Sequence, residues 1–239
     1  FTTLAPVNYI PALTKQHDYL TSNIYVYAAQ VRGESGFQSD LYYNFAPGSP
    51  LGGKHGLKLA VNFSDYSGLD TNNTLFSTGS KKYYSDANIE IKKKWSKKLE
   101  TTLAFQHFFY NAGIIRSAAE PDVNANMIAA GFLYKWASHK SLRMKFENLM
   151  TPDDEGGWAS ALAEVSFFSP VMFFASDLYN YGKTDLHYYN LGASMTKKAT
   201  RFSLSFGKQR PGLFCVGGVC RFVPASYGFT ASLTTSFSN

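Results

Sequence analysis

No hydrophobic run in this sequence is long enough to cross a membrane as a helix. Uninterrupted apolar stretches reach only a handful of residues, against the ~20 that a bilayer demands. Charge is also scarce, at 17 % of residues, where a soluble domain averages about 25 %. There are two cysteines, Cys215 and Cys220, too few for a disulfide framework and without the partners of a cysteine-ligated zinc site. The chain starts at Phe1 with neither Met nor a signal peptide, so the expectation is a mature protein or an N-terminally incomplete one.

Aromatic residues are abundant instead, 16 % of the chain with 20 Phe and 16 Tyr. A membrane protein of this composition has to be a β-barrel, since no helix could span. The net charge of +6 gathers in Lys81-Lys82, Lys92-Lys93-Lys94, Lys97-Lys98 and Lys197-Lys198. These lysines fall where strands turn rather than along one face, so a nucleic-acid partner is not expected.

The C-terminal stretch carries the clearest pattern. Tyr227, Phe229, Ala231, Leu233 and Phe237 share one face, while Gly228, Thr230, Ser232, Thr234 and Ser236 share the other. A strand of about ten residues, apolar on one side and small and polar on the other, suits a wall between lipid and a polar interior. The same period of two recurs upstream, a strand signal and not a helical one. It appears in Phe37, Leu41, Tyr43 and Phe45, in Leu57, Leu59, Val61 and Phe63, in Ala87, Ile89 and Ile91, and in Leu103, Phe105 and Phe109. It continues in Ile128, Phe132 and Tyr134, in Leu142, Met144 and Phe146, in Tyr189, Leu191 and Met195, and in Phe202, Leu204 and Phe206. Residues 158–168 and 171–181 form a weaker hairpin around Ser169-Pro170, and 19–31 is β-rich with blurred alternation.

Short connections (92–98, 137–140, 169–170, 197–200) take turns with long ones (64–80, 111–122, 151–157, 180–186, 209–224). Bacterial outer-membrane barrels sort their periplasmic turns and outer loops in this way, whereas a soluble sandwich has no reason to. The expected fold is therefore all-β: a single transmembrane antiparallel up-and-down β-barrel domain over residues 1–239. About 12 strands are expected in this chain, with 1–18 as an irregular loop or plug. Its C-terminus would lie in the periplasm and its long loops outside. Tyr83, Tyr84, Trp95, Tyr110, Tyr134, Trp136, Trp158, Tyr179, Tyr181, Tyr188 and Tyr189 sit near strand ends, where they would form interfacial girdles.

The run 207–226, GKQRPGLFCVGGVCRFVPAS, resembles the signature of a family of Bacteroidota outer-membrane proteins of unknown function, and IPALTKQH (10–17) and LGGKHG (51–56) resemble it too. The resemblance extends across most of the chain and implies location and fold. It supplies no catalytic residue. Members of that family are longer, which implies missing N-terminal strands and a full barrel of 14 or more.

Cys215 and Cys220 would lie in an outer loop, reached through an oxidising compartment, where a disulfide is expected. The glycines between them allow the tight turn that brings them together. The redox-catalyst alternative would prefer two intervening residues. The five histidines, His17, His55, His107, His139 and His187, are scattered. A hydrolase built on His107 or His187 is the weakest reading, and no enzyme activity is expected. Asp153-Asp154-Glu155 reads as a solvated loop rather than a cation site; no metal or cofactor is expected. The inward phase carries Lys58, Glu90, Glu100, Arg143, Lys145, Glu147 and Arg201. Such mixed charge suits either a hydrated pore or a salt-bridged, closed lumen. The expected partners are outer-membrane lipid, lipopolysaccharide and other outer-membrane or periplasmic proteins. The expected role is a structural or accessory subunit of a larger assembly, with a pore for small solutes as the alternative.

Overall fold

A computed structural model describes residues 14–15, 17–30, 33–70, 78–116, 121–168, 170–216 and 219–236, with the side chains of 212–223 excluded. Strands dominate the described residues: β1 (Glu34–Phe45), β2 (Leu57–Leu69), β3 (Thr78–Lys94), β4 (Leu99–Tyr110), β5 (Val123–Ala137), β6 (Lys140–Met150) and β7 (Trp158–Phe168). There follow β8 (Val171–Asn180), β9 (Leu186–Lys197), β10 (Thr200–Gln209), β11 (Gly212–Val216), β12 (Val219–Val223) and β13 (Ser226–Thr235). The one α-helix among the described residues, α1, covers only Ala112–Ile115, capped by the Asn111 side chain accepting from the Ile114 N–H.

Eleven strands form one antiparallel sheet in the order β1 to β10 and then β13, each beside its neighbour in sequence. β11 and β12 form a separate hairpin inside the last long connection. Every strand of the large sheet has 10 to 17 residues. The up-and-down order matches the sequence reading. The expected barrel is met only as a single sheet with two edges: β1 pairs with β2 and β13 with β10. The β-rich stretch at 19–31 is not a strand. Its described part is irregular, with one 3-10 turn at Ser22–Ile24.

The sheet is strongly curled. From β4 to β10 is six strand spacings, roughly 29 Å if laid flat. Yet Ser22 bonds Gln106 on β4 at 2.6 Å, while Asn23 and Ile24 line a small cavity with Asn190 of β9 and Gln209 of β10. Three consecutive residues span at most ~7 Å between their outer Cα atoms. Only a sheet wrapped around them puts β4 and β10 both within reach.

The two faces differ throughout. The inner face buries Asn62, Asp86, Asn88, Gln106, Phe108, Met127, Glu147, Trp158, Glu164 and Asn190. The outer face exposes Leu41, Phe63, Ile89, Phe105, Ile128, Phe146, Phe173, Leu191, Leu204 and Phe229. Among the described residues, outward charges lie toward strand ends, as in the pairs Lys82–Asp65 at 2.8 Å and His187–Asp177 at 2.7 Å. Tyr227, Phe229 and Leu233 of β13 point outward at 72 %, 79 % and 69 % exposure. Phe237 lies outside the described residues.

Several aromatic side chains expected at interfacial girdles turn inward instead. Tyr84, Tyr110 and Trp158 are buried on the inner face, with Tyr188 packed against the same cluster. Tyr83 joins them because a register shift in β2–β3 pairs Tyr66 with Tyr84 but Ser67 with Lys82. The extra residue breaks the alternation, so two consecutive tyrosines face the same way. Trp95, Tyr134, Tyr181 and Tyr189 remain exposed.

Gly192 of β9 shows how closely the inner face is packed. A Cβ there would come within 2.6 Å of the Phe174 ring and 2.5 Å of the Leu204 carbonyl. Gly192→Val is therefore expected to destabilise the sheet by about 2 kcal/mol through overpacking. Equilibrium guanidinium unfolding followed by tryptophan fluorescence would show it; an unchanged midpoint would contradict this account of β8–β10.

Candidate functional site

The inner face is organised around residues 17–30, which run across it as irregular chain. Such chain leaves its backbone polar groups and hydroxyls unpaired unless the surroundings supply partners. Here the strands supply them. Glu147 of β6 accepts from both the N–H and the Oγ1 of Thr21, at 2.8 and 3.0 Å. Ser22 Oγ donates to Gln106 Oε1 at 2.6 Å, and Gln106 Nε2 donates to Asp86 at 2.9 Å. Asp86 also takes the Asn88 amide at 3.3 Å and the Tyr84 hydroxyl at 3.4 Å, and lies 3.2 Å from His17 Nε2. A carboxylate only 2 % exposed is tolerable because so many donors surround it.

Successive residues hold opposite walls. Tyr19 donates to Glu90 of β3 at 2.7 Å, while the neighbouring Asp18 meets Lys145 of β6 at 2.5 Å. Lys15 reaches Asn62 of β2 at 2.7 Å. Burial works to raise the Asp18 carboxyl, but the Lys145 ammonium beside it overcomes that and holds it below the usual range. A depressed folded value means that this tether is fully present above the ordinary aspartate range, about 4, and weakens as pH falls through the depressed value.

Toward the loop end the contacts become aromatic. Tyr25 packs against Phe108 and Tyr110, each with centroids 5.5 Å away, and Tyr27 lies 4.9 Å from Tyr66 and 5.0 Å from Tyr84. The Arg116 guanidinium sits over both Tyr25 and Tyr110 at 5.4 Å and pairs with Asp154 at 3.0 Å. Arg210 lies over Trp158 at 5.3 Å and reaches Glu155 at 3.4 Å. Asp153 accepts from the Asn124 N–H at 2.9 Å. The acidic triplet is thus engaged by the protein rather than presented as a solvated loop. β11 lies against the Ser22–Ile24 turn, so the hairpin with the cysteines covers the segment from the loop side. Cys215 stands opposite Cys220 in the β11–β12 register; their side chains lie outside the described residues, and with them the expected disulfide.

The inward charges read from the sequence all fall on the face that holds the segment. Glu90, Lys145 and Glu147 touch it directly. Arg143 pairs with Glu164 at 3.5 Å. Lys58, Glu100 and Arg201 occupy the same alternation phase nearer the turns. The two histidines weighed for a hydrolase are not brought together. His107 faces outward on β4 against Asn126 at 3.0 Å. His187, five strands away on β9, stacks on Tyr179 at 4.1 Å. Sequence reasoning missed His17, Thr21, Asp86 and Gln106. The available signal was large polar groups at inward positions, where a water-filled wall needs only small ones.

A family model described as a family of unknown function, DUF6029, matches residues 2–237. The chain belongs to that family. Its description assigns the family no activity, and no curated protein matches the chain. Membership therefore leaves function to the geometry of the segment and its strands.

Replacing Glu147 with Leu removes the acceptor of both Thr21 bonds and leaves two buried donors unpaired. The expected loss of tethering is about 2 kcal/mol, or ~30-fold in the open population of the segment. Limited chymotrypsin digestion at Tyr19, Tyr25 and Tyr27 would accelerate accordingly. Cleavage no faster than in the parent protein would show that Glu147 does not hold the segment.

Proposed function

We propose that this chain forms the greater part of an outer-membrane β-barrel whose lumen is filled by its own segment 17–30. On this reading it serves as a non-conducting, structural or accessory subunit of a larger outer-membrane assembly. The carrying observation is the pairing of an apolar outer face with an inner face cross-linked through that segment. Strands of 10 to 17 residues are long enough for a bilayer, which needs about 9–11 when tilted. The outward charges at strand ends suit the headgroup margins. On this reading the short turns lie in the periplasm and the long loops, with the β11–β12 hairpin, outside; the alternation of short and long connections supports it.

That orientation also supports a Cys215–Cys220 disulfide over the segment. Directly opposed residues of an antiparallel pair have Cα atoms about 4.5–5.5 Å apart, within the range a disulfide spans. The pore alternative requires segment 17–30 to leave. Its partners on β1, β3, β4 and β6 oppose this.

The test is electrical. The full chain inserted into a planar bilayer is expected to be silent, and a Glu147→Leu, Asp86→Leu double variant to give conductance steps as the segment loosens. Steady conductance from the unaltered protein would refute the closed-lumen reading. A silent protein that remains alone after mild detergent extraction from its native membrane would instead count against the accessory role.

A further inference from the structure

At the turn end the inner face opens into a cavity of about 440 Å³, in which Lys54, Lys94, Lys97, Lys98 and Lys135 surround a single carboxylate, Glu100. All five lysines are exposed. Among the described residues none of them is in a salt bridge, whereas Lys82, Lys92, Lys145, Arg116, Arg143 and Arg210 each have a carboxylate partner. What sets this place apart is that five such ammonium groups gather around one carboxylate.

The mouth is also built to stay in place. Lys93 Nζ donates to the carbonyls of Leu51 and Gly52 at 2.9 and 2.7 Å, which fixes the β1–β2 connection bearing Lys54 against the end of β3. In the next turn Ser96 Oγ accepts from the N–H groups of Lys98 and Leu99 at 3.1 and 3.0 Å. The Lys98 carbonyl in turn accepts from the Lys135 N–H at 2.8 Å. Trp95 Nε1 donates to Thr101 Oγ1 at 2.8 Å. Three successive strand ends thus present their ammonium groups from a hydrogen-bonded frame rather than from loose loops.

We propose that this turn-side vestibule binds a phosphate-bearing ligand. Five ammonium groups against one carboxylate call for a multiply charged anion, and a single carboxylate ligand would leave most of the charge uncompensated. Lysine acts on phosphate as a compact, strongly hydrated point charge with three donors. The volume lies within the ~300–1,000 Å³ of small-molecule sites, so the phosphate carries an organic body or belongs to a lipid headgroup. A second space of about 140 Å³ shares Glu100 and Leu133 with the vestibule and reaches Asp18 and Tyr19. The site therefore ends against the segment that crosses the inner face. The proposal stands on the turn-end geometry and does not require the lumen to be closed.

The purified full chain in a neutral detergent is titrated calorimetrically with inorganic pyrophosphate, and separately with phosphatidylglycerol or phosphatidylcholine mixed into the micelle. Saturable pyrophosphate binding is expected, weakening as salt is raised and falling at least tenfold in a Lys94→Gln, Lys98→Gln, Lys135→Gln variant. A Lys97→Glu single variant should weaken it in the same direction, and a Lys183→Gln variant in the long β8–β9 connection at the loop end should leave it unchanged. Competition by phosphatidylglycerol and not by phosphatidylcholine supports the headgroup source. Pyrophosphate binding without competition supports a soluble phosphate ester. Absence of saturable binding by both phosphates, or equal weakening by the Lys183→Gln variant, would overturn the proposal.

Discussion

The constraint on which the structure depends is that buried carboxylates facing into a curled sheet need hydrogen-bond donors at short range. Asp86, Glu147 and Gln106 are buried, and a buried polar group without a partner costs about 1–3 kcal/mol. Segment 17–30 answers that need with its own unsatisfied donors, which an irregular chain has in excess. Each half would be unfavourable alone: the wall would carry orphaned acceptors, and the segment orphaned N–H and hydroxyl groups. Their complementarity explains why a stretch rich in β-branched and aromatic residues is held as coil.

The same accounting separates what the sequence revealed from what it concealed. Strand phase was legible because the outer face demands uniformity: Phe202, Leu204 and Phe206 can be read as one side without knowing what the other side meets. Phase alone placed Glu90, Lys145 and Glu147 inward. The fate of Tyr19, Ile24, Tyr25 and Tyr27 was not legible, since β propensity reports a fit to a half-buried pleated surface and these residues are buried against pleated strands without being in one. Tyr110 and Trp158 were misplaced for a related reason. An aromatic residue near a strand end suits an interfacial girdle or an inward stack equally well. Only the presence of Tyr25, Arg116 and Arg210 decides for the stack. The β11–β12 hairpin escaped because five-residue strands show too few alternations to stand out from a glycine-rich loop.

The two ends of the sheet obey different electrostatics. At the loop end Arg116 and Arg210 are paired with Asp154 and Glu155 and stacked on aromatic rings, so charge there serves to hold the segment and the loops together. At the turn end the lysines crowd without such partners around a frame of backbone hydrogen bonds. Mutual repulsion of that kind persists only where water or an anion screens it. The segment thus lies between a neutralised end and an uncompensated one.

The edges of the sheet carry the final step. β1 and β13 each leave one row of backbone N–H and C=O groups outside the sheet's own pairing, and hydrocarbon does not accept such a row unpaired. In the proposed outer-membrane setting these two edges must pair with each other or with further strands. The hydrogen bonds and ion pairs that anchor 15–27 to the sheet lie on β2, β3, β4 and β6, and Tyr27 also donates to Glu34 at the start of β1. The edge strand β1 is thus engaged through Glu34, which also accepts from the Gln30 N–H at 2.8 Å. Closure and plugging therefore meet at this edge: a strand added beside β1 would pair with the strand whose Glu34 holds Tyr27 and Gln30.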